Sequence, residues 1–319
     1  MKIVIPGGSG QVGQLLARAF QKDGHDVVIL ARRRDSQKAG RIVLWDAQTL
    51  GDWCAEFEGP DVVINLAGKS VNCRYTAENR REIIRSRVDS TELVGQAIMQ
   101  ARRPPRLWLQ AATATIYAHR YDAANDEFSG ILARDDDDVP DTWCFSLDVA
   151  TKWERAFNQS GTLPHTRKVL LRCAIIMSPD RSGVFDVLLG LVRRGLGGRS
   201  GDGRQYVSWI HGADFIRAIY WLIAHEHLEG AVNLAAPNPL PNAEFMRALR
   251  EAWGTRVGLP ASKWMLEIAT FFMRTESELV LKSRRVVPGR LLRDGFEFQF
   301  PNWKEATRDL CERWRRAQV

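Results

Sequence analysis

The sequence has few of the features that mark disulfide frameworks, metal sites and membrane spans. Its five cysteines are scattered, odd in number and never arranged as C-x-x-C, which favours reduced thiols over disulfides or a zinc site. The most apolar late stretch, 264–273, is too short to span a bilayer and contains Glu267. Met1 and Lys2 lead directly into the first predicted strand, which leaves no room for a signal peptide. We therefore expect a cytoplasmic protein with no membrane partner and no metal ion.

The chain also lacks a concentrated basic segment, although its formal net charge is +7 at pH 7. Arginines are spread along the whole length without an aromatic-interleaved basic block, so the charge indicates a solvated basic surface rather than a nucleic-acid interface. Such a surface suits anionic ligands such as phosphates. With 319 residues, 45% of them hydrophobic, the chain can bury a sizeable core and is expected to form one main domain with a smaller lobe.

A glycine-rich turn opens the chain. It follows a short apolar run that is typical of a buried strand, and from Val12 the apolar spacing becomes helical. The spacing of Gly7, Gly10 and Gly13 between strand and helix is that of a dinucleotide-binding fingerprint. Gly7 permits the tight turn, Gly10 lets the backbone approach a pyrophosphate, and Gly13 lets the helix pack close to the strand. The N–H groups that start the helix, at Gln11 and Val12, would face the phosphates.

The end of the second predicted strand lacks the acidic residue that holds the ribose 2′-hydroxyl in NAD-specific proteins. Arg32, Arg33 and Arg34 occupy that place instead. An arginine binds phosphate through two parallel hydrogen bonds, so the expected cofactor carries a 2′-phosphate, as NADP(H) does. Two alternatives stay open: a basic surface at the strand exit, and a hydroxyl contact made by Asp35.

Further cofactor contacts are predicted at the ends of the third and fourth strands. Asp46 is placed to accept a hydrogen bond from an adenine amino group, although an ordinary turn role is an equal alternative. Leu66, Ala67 and Gly68 follow the fourth strand. Small residues at the carboxyl end of a central strand would let the cofactor lie across it, but they could equally be ordinary strand-to-loop residues.

The alternation of apolar strands and amphipathic helices predicts an α/β fold with a Rossmann-like, doubly wound parallel sheet. Residues 1–237 are expected to form the NADP(H)-binding domain, and residues 238–319 a smaller C-terminal substrate lobe to which 178–203 contribute. One long strand is predicted over 168–177. The sequence leaves a homodimer open as the oligomeric state.

Several motifs are shared with a known group of proteins. Beside the glycine turn they are Asn65-Leu66-Ala67-Gly68, Ser86-Arg87 with Thr91, Lys152-Trp153-Glu154, Gly201-x-Gly203-x-Gln205-x-x-Ser208-Trp209-Ile210-His211, Asn233-x-x-Ala236-Pro237-Asn238-Pro239 and Pro288-x-x-Leu291-x-x-x-Gly295-Phe296-x-Phe298. Together they resemble the atypical extended short-chain dehydrogenases/reductases known as epimerase-family proteins, or sugar-nucleotide epimerase-like proteins, which carry a C-terminal domain of unknown function. The resemblance runs nearly end to end.

The resemblance implies that NADP(H) contacts Leu66 and Ala67, then Glu82 and Arg87 on the following helix, and the backbone near Ile175. Arg87 suits a position beside a pyrophosphate. Glu82 would repel one, so it is expected to accept a hydrogen bond from a ribose or an amide, or to orient an arginine.

Short-chain reductases in general use a Tyr-x-x-x-Lys pair, in which the lysine and the nicotinamide ribose lower the pKa of the proton-transferring tyrosine; the resembled group lacks this pair. Placing Glu154 at the family's helix glutamate puts Ser146 and Ala150 at those two positions, so both groups are absent. Thr113 matches the residue that orients the substrate carbonyl, with a backbone-bonding hydroxyl as the alternative. Tyr117 matches a loop tyrosine that packs or contacts substrate. Hydride chemistry is therefore predicted to use Thr113, Tyr117 or a substrate-borne group for proton transfer.

These observations predict an NADP(H)-dependent oxidoreductase or epimerase-like enzyme that acts on a small polar or phosphorylated metabolite, by analogy a nucleotide sugar. The alternative is a non-catalytic NADP(H)-binding protein that reports redox state through a partner, which the missing Tyr-Lys pair supports.

Overall fold

The computed structural model describes residues 1–35, 38–133, 140–161, 165–261 and 281–317; the apolar stretch 264–273 lies outside them. In chain order the strands are β1 (Lys2–Pro6), β2 (Asp26–Ala31), β3 (Arg41–Leu44), β4 (Val62–Asn65), β5 (Leu107–Thr113), β6 (Arg167–Cys173), β7 (Ile175–Met177), β8 (Tyr206–Val207), β9 (Trp209–His211), β10 (Gly230–Leu234) and β11 (Leu240–Pro241). The helices are α1 (Gln11–Lys22), α2 (Ala77–Gln100), α3 (Asp141–Gln159), α4 (Val184–Arg193), α5 (Gly212–Ala224), α6 (Asn242–Trp253), α7 (Gly289–Arg293) and α8 (Trp303–Arg316). None of these helices is long and apolar enough to cross a membrane.

Seven strands form one sheet in the order β10-β6-β5-β4-β1-β2-β3, and every pair in it is parallel. The chain builds outward from β1 in one direction through β2 and β3, then returns to β4 and builds in the other direction. Such a switch point opens a crevice at the carboxyl ends of the strands, where open α/β sheets bind their ligands. The predicted Rossmann-like doubly wound fold is confirmed.

The central strands are apolar along their length because helices cover both faces of the sheet. Residues 3–5 of β1 and 62–64 of β4 are almost fully buried. One hydrophobic cluster joins the sheet to α1 and α5, and another joins the opposite face to α2 and α3. This sandwich holds the carboxyl ends of β1, β2, β4 and β5 in fixed register.

A separate hydrophobic cluster combines α4 with α6 and α8. At its centre Trp303 stacks on Phe245 with ring centroids 4.0 Å apart. The cluster joins residues from both 178–203 and 238–319, the two stretches expected to share a lobe. The domain boundary at residue 237 stays a prediction.

The single strand expected over 168–177 is two strands, and this expectation was wrong. The Ala174 N–H still donates to Leu234 O of β10 at 3.0 Å, whereas the next N–H, that of Ile175, donates to Ser208 O at 3.3 Å. Beyond it, β7 leaves the sheet and pairs in parallel with β9. Ile175 consequently lies beyond the end of β6 and packs against the cluster of α4, α6 and α8.

Candidate cofactor and substrate site

The glycine turn is tightly packed against the neighbouring chain segments. Gly7 has a φ of +74°, and its N–H donates to Leu30 O at the end of β2. A Cβ on Gly7 would lie 2.6 Å from the backbone of Ala67, and a Cβ on Gly13 would lie 2.4 Å from Gly8 Cα. Both glycines are therefore required by the close approach of backbones, as the fingerprint predicts for a tight turn and a closely packed helix.

Gly10 is different, because a Cβ there would meet only Gly7 O, at 3.6 Å, and otherwise open space. Helix α1 begins directly after it and has no side-chain cap. Its first N–H groups, at Gln11, Val12 and Gly13, are thus left for another acceptor. An uncapped helix start beside a crevice, approached through a glycine, fits a phosphate group.

Arg32, Arg33 and Arg34 are exposed immediately after β2, next to the glycine turn. None of them forms a hydrogen bond or ion pair with the part of the chain that the structure describes. Three adjacent cations without a partner repel one another, so an anion bound among them would be stabilised. This placement matches the phosphate-binding role predicted for Arg32 and Arg33.

The Asp46 carboxylate is used by its own turn. It accepts hydrogen bonds from the N–H of Gln48 at 2.8 Å and from the N–H and hydroxyl of Thr49 at 2.9 and 2.6 Å. The bond from the Thr49 hydroxyl is the main cause of the lowered pKa of Asp46. The turn role is thus observed, and the adenine contact stays a prediction.

The Arg87 guanidinium lies next to Gly68, in the loop that follows β4. A Cβ on Gly68 would be 3.3 Å from the Arg87 guanidinium carbon. Arg87 donates to the carbonyls of Ile83 and Lys69 at 3.0 and 3.1 Å, and its guanidinium lies 5.0 Å from the Trp153 ring. No carboxylate of the described residues pairs with it, and burial lowers its pKa to about 10. Gly68 thus lies beside a positive charge that an anionic ligand would compensate.

Glu82 pairs with a lysine. Its carboxylate lies 2.6 Å from Lys69 Nζ, which also donates to Asn79 Oδ1 at 2.8 Å. Lys69 is the main cause of the lowered pKa of Glu82, and Arg32 contributes through its charge. Glu82 therefore lies on the side of the crevice where Arg32 is, while the group it orients in this structure is a lysine rather than the expected arginine.

A cavity opens where β5, α2 and α3 meet. Its polar walls are Tyr75, Arg87, Thr113, Thr115 and Ser146; apolar residues complete it, namely Val71, Ile83, Phe145, Val149 and Trp153. None of these ten described residues is acidic. Thr113 Oγ1 accepts a hydrogen bond from Thr115 N at 3.2 Å and keeps its own proton to donate. The structure thus brings Thr113, Ser146 and Arg87 together, and it adds Tyr75 and Thr115, which no motif spacing distinguished.

The two α3 positions that hold the tyrosine and lysine of other short-chain reductases are Ser146 and Ala150 in this chain. Ser146 lines the cavity, whereas Ala150 is buried in a small core cluster. Lys152 points elsewhere, since it is exposed and forms an ion pair with Asp148 at 2.7 Å. Among the described residues, no group of three His, Cys, Asp or Glu side chains could hold a metal ion.

Tyr117 does not line this cavity. It is 3% exposed, and its hydroxyl donates to Asn233 Oδ1 and accepts from Arg172 Nη1, both at 3.0 Å. Arg172 in turn forms two hydrogen bonds with Glu154, at 2.9 and 2.8 Å. Burial raises the pKa of Tyr117 despite the nearby guanidinium. A hydroxyl so placed is part of a structural network, which argues against the proton-donor role predicted for it.

Ile175 is the first residue of β7 and pairs with Trp209 of β9. Its N–H donates to Ser208 O at 3.3 Å, and its side chain packs against the cluster of α4, α6 and α8. The side-chain amide of Gln11 donates through Nε2 to Ser178 Oγ at 3.2 Å, which ties the start of α1 to the segment after β7. The expected backbone contact between Ile175 and the cofactor stays a prediction.

Family models and curated relatives match almost the whole chain. The model of the NAD dependent epimerase/dehydratase family matches residues 3–235, and that of DUF1731, a domain of unknown function, matches residues 261–310. The human Epimerase family protein SDR39U1 is 28% identical over 313 residues, which cover 97% of this chain and 99% of the human protein. Epimerase family protein SERP0438 of Staphylococcus epidermidis is 30% identical over 314 residues, with coverages of 98% and 99%.

Solved structures agree with this assignment. The human epimerase family protein SDR39U1 (isoform 2), crystallised with NADPH, has a TM-score of 0.84 and 27% identity, covering 98% of this chain and 99% of that chain. MoeE5 in complex with UDP-glucose and NAD has a TM-score of 0.74 and 18% identity over 100% of both chains, which shows a shared fold. The resemblance found in the motifs is confirmed: the chain belongs to the NAD dependent epimerase/dehydratase family.

Proposed function

We propose that this chain is an NADP(H)-binding, epimerase-like oxidoreductase that acts on a small polar metabolite, with nucleotide sugars as the first class to test. The observation that carries the proposal is the crevice between the uncapped start of α1 and the arginines after β2, which pair with none of the described residues. The relative crystallised with NADPH and the same-fold protein crystallised with UDP-glucose and NAD support it. A cytoplasmic location and a homodimer stay predictions.

In this proposal the diphosphate lies on the turn formed by Gly7, Gly10 and Gly13, against the N–H groups of Gln11 and Val12. The fit rests on the open space above Gly10. The 2′-phosphate lies at Arg32 and Arg33, the adenine near Asp46, and the middle of the cofactor along residues 66–68 with Glu82 and Arg87 behind them. The backbone at Ile175 borders the nicotinamide end.

When bound, the cofactor supplies or accepts a hydride. Thr113 is the residue best placed to orient a substrate carbonyl, because it lines the cavity and keeps a donor proton. Arg87 stabilises negative charge at the floor of the same cavity. With no tyrosine–lysine pair on α3, the proton is exchanged through Thr113 or a group of the substrate itself.

The test is to saturate the protein with NADPH, add carbonyl compounds and nucleotide sugars, and follow both nicotinamide absorbance and product stereochemistry by NMR. We expect one substrate class to turn over, and Thr113→Val to reduce the rate about tenfold or more at unchanged NADPH affinity. Tyr117→Phe is the matched control and should retain the rate. An unchanged rate in Thr113→Val would refute the role of Thr113.

A non-catalytic NADP(H)-binding protein is the second candidate. Ser146 and Ala150 at the positions of the usual pair favour it. Tight NADPH binding without turnover of any tested pool, together with a cofactor-dependent partner, would support this candidate over the enzyme.

A further inference from the structure

Lys69 is held by α2 through both its backbone and its side chain. Its N–H donates to Ser86 Oγ at 2.9 Å, and its carbonyl accepts from Arg87 Nη1 at 3.1 Å. Its ammonium group donates to Asn79 Oδ1 at 2.8 Å and to Glu82 Oε2 at 2.6 Å. All four partners lie on α2. Lys69 therefore has a fixed place directly after the segment along which the cofactor is proposed to lie.

Three cations act on the Glu82 carboxylate, and they differ in their other partners. The hydrogen bond from Lys69 is the main cause of the lowered pKa of Glu82, and the charges of Arg32 and Arg85 add to it. Arg85 is itself paired with Asp89, at 3.5 Å. Arg32 forms no ion pair with the residues that the structure describes. Lys69 is thus the cation that occupies Glu82, while Arg32 lies near it without bonding to it.

The partner that Glu82 takes bears on the choice of cofactor. Arginine offers two parallel N–H groups to a carboxylate or to a phosphate, so the two acceptors compete for it. Arg32 is exposed and its side chain can turn, and without Lys69 the nearby Glu82 carboxylate would draw it away from a 2′-phosphate. With Lys69 in place, Glu82 is neutralised and can still accept a hydrogen bond from the cofactor through its other oxygen.

We propose that Lys69 is a specificity-determining residue for NADP(H), because by holding Glu82 it leaves Arg32 to the 2′-phosphate. Lys69 acts through Glu82 and is therefore a positioning residue rather than a phosphate ligand. The proposal rests on the proposed function and adds to it a residue that lies outside the sequence motifs. NADH has no 2′-phosphate, so the arrangement gives it no advantage.

The experiment measures the NADPH and NADH affinities of the full-length protein by calorimetric titration at about 0.1 M ionic strength. In Lys69→Met we expect NADPH binding to weaken about tenfold, because Arg32 exchanges a charge-assisted hydrogen bond to the phosphate for one to Glu82. NADH binding should weaken less than about threefold. Lys69→Gln removes the same charge with a polar side chain and should weaken NADPH binding likewise.

A double-mutant cycle tests whether Lys69 acts through Glu82. In the Glu82→Gln background, where no carboxylate competes for Arg32, adding Lys69→Met should weaken NADPH binding by about threefold at most, the direct effect of one exposed charge. Lys152→Met is the matched control, because it removes the same charge and breaks an ion pair of 2.7 Å with Asp148 on α3. It should keep both affinities within about twofold of the wild type. Urea unfolding of each variant checks that the fold is retained.

An NADPH affinity of Lys69→Met within about threefold of the wild type would overturn the proposal. Equal losses for NADPH and NADH would show that Lys69 acts on the shared part of the cofactor, and equal losses in both backgrounds of the cycle would show direct attraction of the phosphate; either result would overturn it too. The same loss in Lys152→Met would show a net-charge effect and would also overturn it.

The wild-type titration separates this proposal from the proposed function. If the wild-type protein binds no NADPH, the proposed function and the role of Lys69 both fall. If it binds NADPH and the Lys69 variants bind it equally well, only the role of Lys69 falls.

Discussion

Replacing Gly10 by alanine separates the fold of the glycine turn from its proposed ligand. Gly10 has φ −72° and ψ 169°, which alanine adopts freely, and an added Cβ would meet only Gly7 O at 3.6 Å. The folded protein should therefore lose less than about 0.5 kcal/mol of stability. The methyl group would nevertheless occupy the space in which the diphosphate approaches the start of α1.

The expected loss of NADPH affinity in Gly10→Ala follows from the hydrogen bonds that the added methyl group would break. Displacing the diphosphate would break one or two hydrogen bonds between N–H groups and a charged oxygen, each worth about 1.5–3 kcal/mol. NADPH binding should then weaken about 10- to 100-fold or more. Gly13→Ala has a different signature: its Cβ would lie 2.4 Å from Gly8 Cα, so α1 must shift and unfolding should become easier by about 1–3 kcal/mol.

The assay pairs calorimetric titration with NADPH and urea unfolding of each variant. Gly24→Ala is the control, because Gly24 has φ +76° with open space around it at the far end of α1. It should lose stability through backbone strain and keep its affinity. If the NADPH affinity of the Gly10→Ala variant stays within about twofold of the wild-type affinity, the placement of the diphosphate on this turn is refuted.

Three further predictions follow from charged and buried groups. Arg32→Glu should narrow the ratio of NADPH to NADH affinity in parallel titrations, because it removes a phosphate partner and adds a repelling charge; an unchanged ratio would contradict this. Glu154→Gln should cost about 3–5 kcal/mol in urea unfolding, since Arg172 loses a buried carboxylate with which it forms two hydrogen bonds; a loss below about 1 kcal/mol would contradict it. Burial lowers the pKa of His211 to about 4, while its Nδ1 accepts from Ala213 N. Its contribution to stability should be complete above pH 6.5 and lost as the pH falls towards 4, so that His211→Gln flattens the unfolding profile in that range.

The glycine turn and the sheet could be predicted because their causes are local. Gly7 and Gly13 are required by contacts with Ala67 and Gly8, and the fingerprint spacing already encodes such close approaches. Strands that are buried on both faces of a sheet are apolar along their length, so continuous apolar runs in the sequence predict them directly. The three arginines were expected at the end of the second predicted strand, and they directly follow β2; their role stays a prediction.

The surroundings of the candidate cavity could not be predicted, because they depend on contacts between distant parts of the chain. Arg284 reaches Thr115 across 169 positions, and no spacing rule connects them. Tyr117 was selected for its position in the motif, yet its hydroxyl is bound by Asn233, 116 positions away in the sequence. The break after Ala174 has the same origin, since the Ile175 N–H bonds to Ser208 O, 33 positions away, and β7 pairs with β9 instead of continuing the sheet.

The central claim is that the crevice at the carboxyl ends of β1 and β2 binds NADP(H) through its three phosphoryl groups. A crystal structure of the protein grown with NADPH tests it most directly. The account predicts the diphosphate on the N–H groups at the start of α1, and the 2′-phosphate within hydrogen-bond distance of Arg32 or Arg33. An empty crevice, or an unrelated molecule occupying it, would contradict the account.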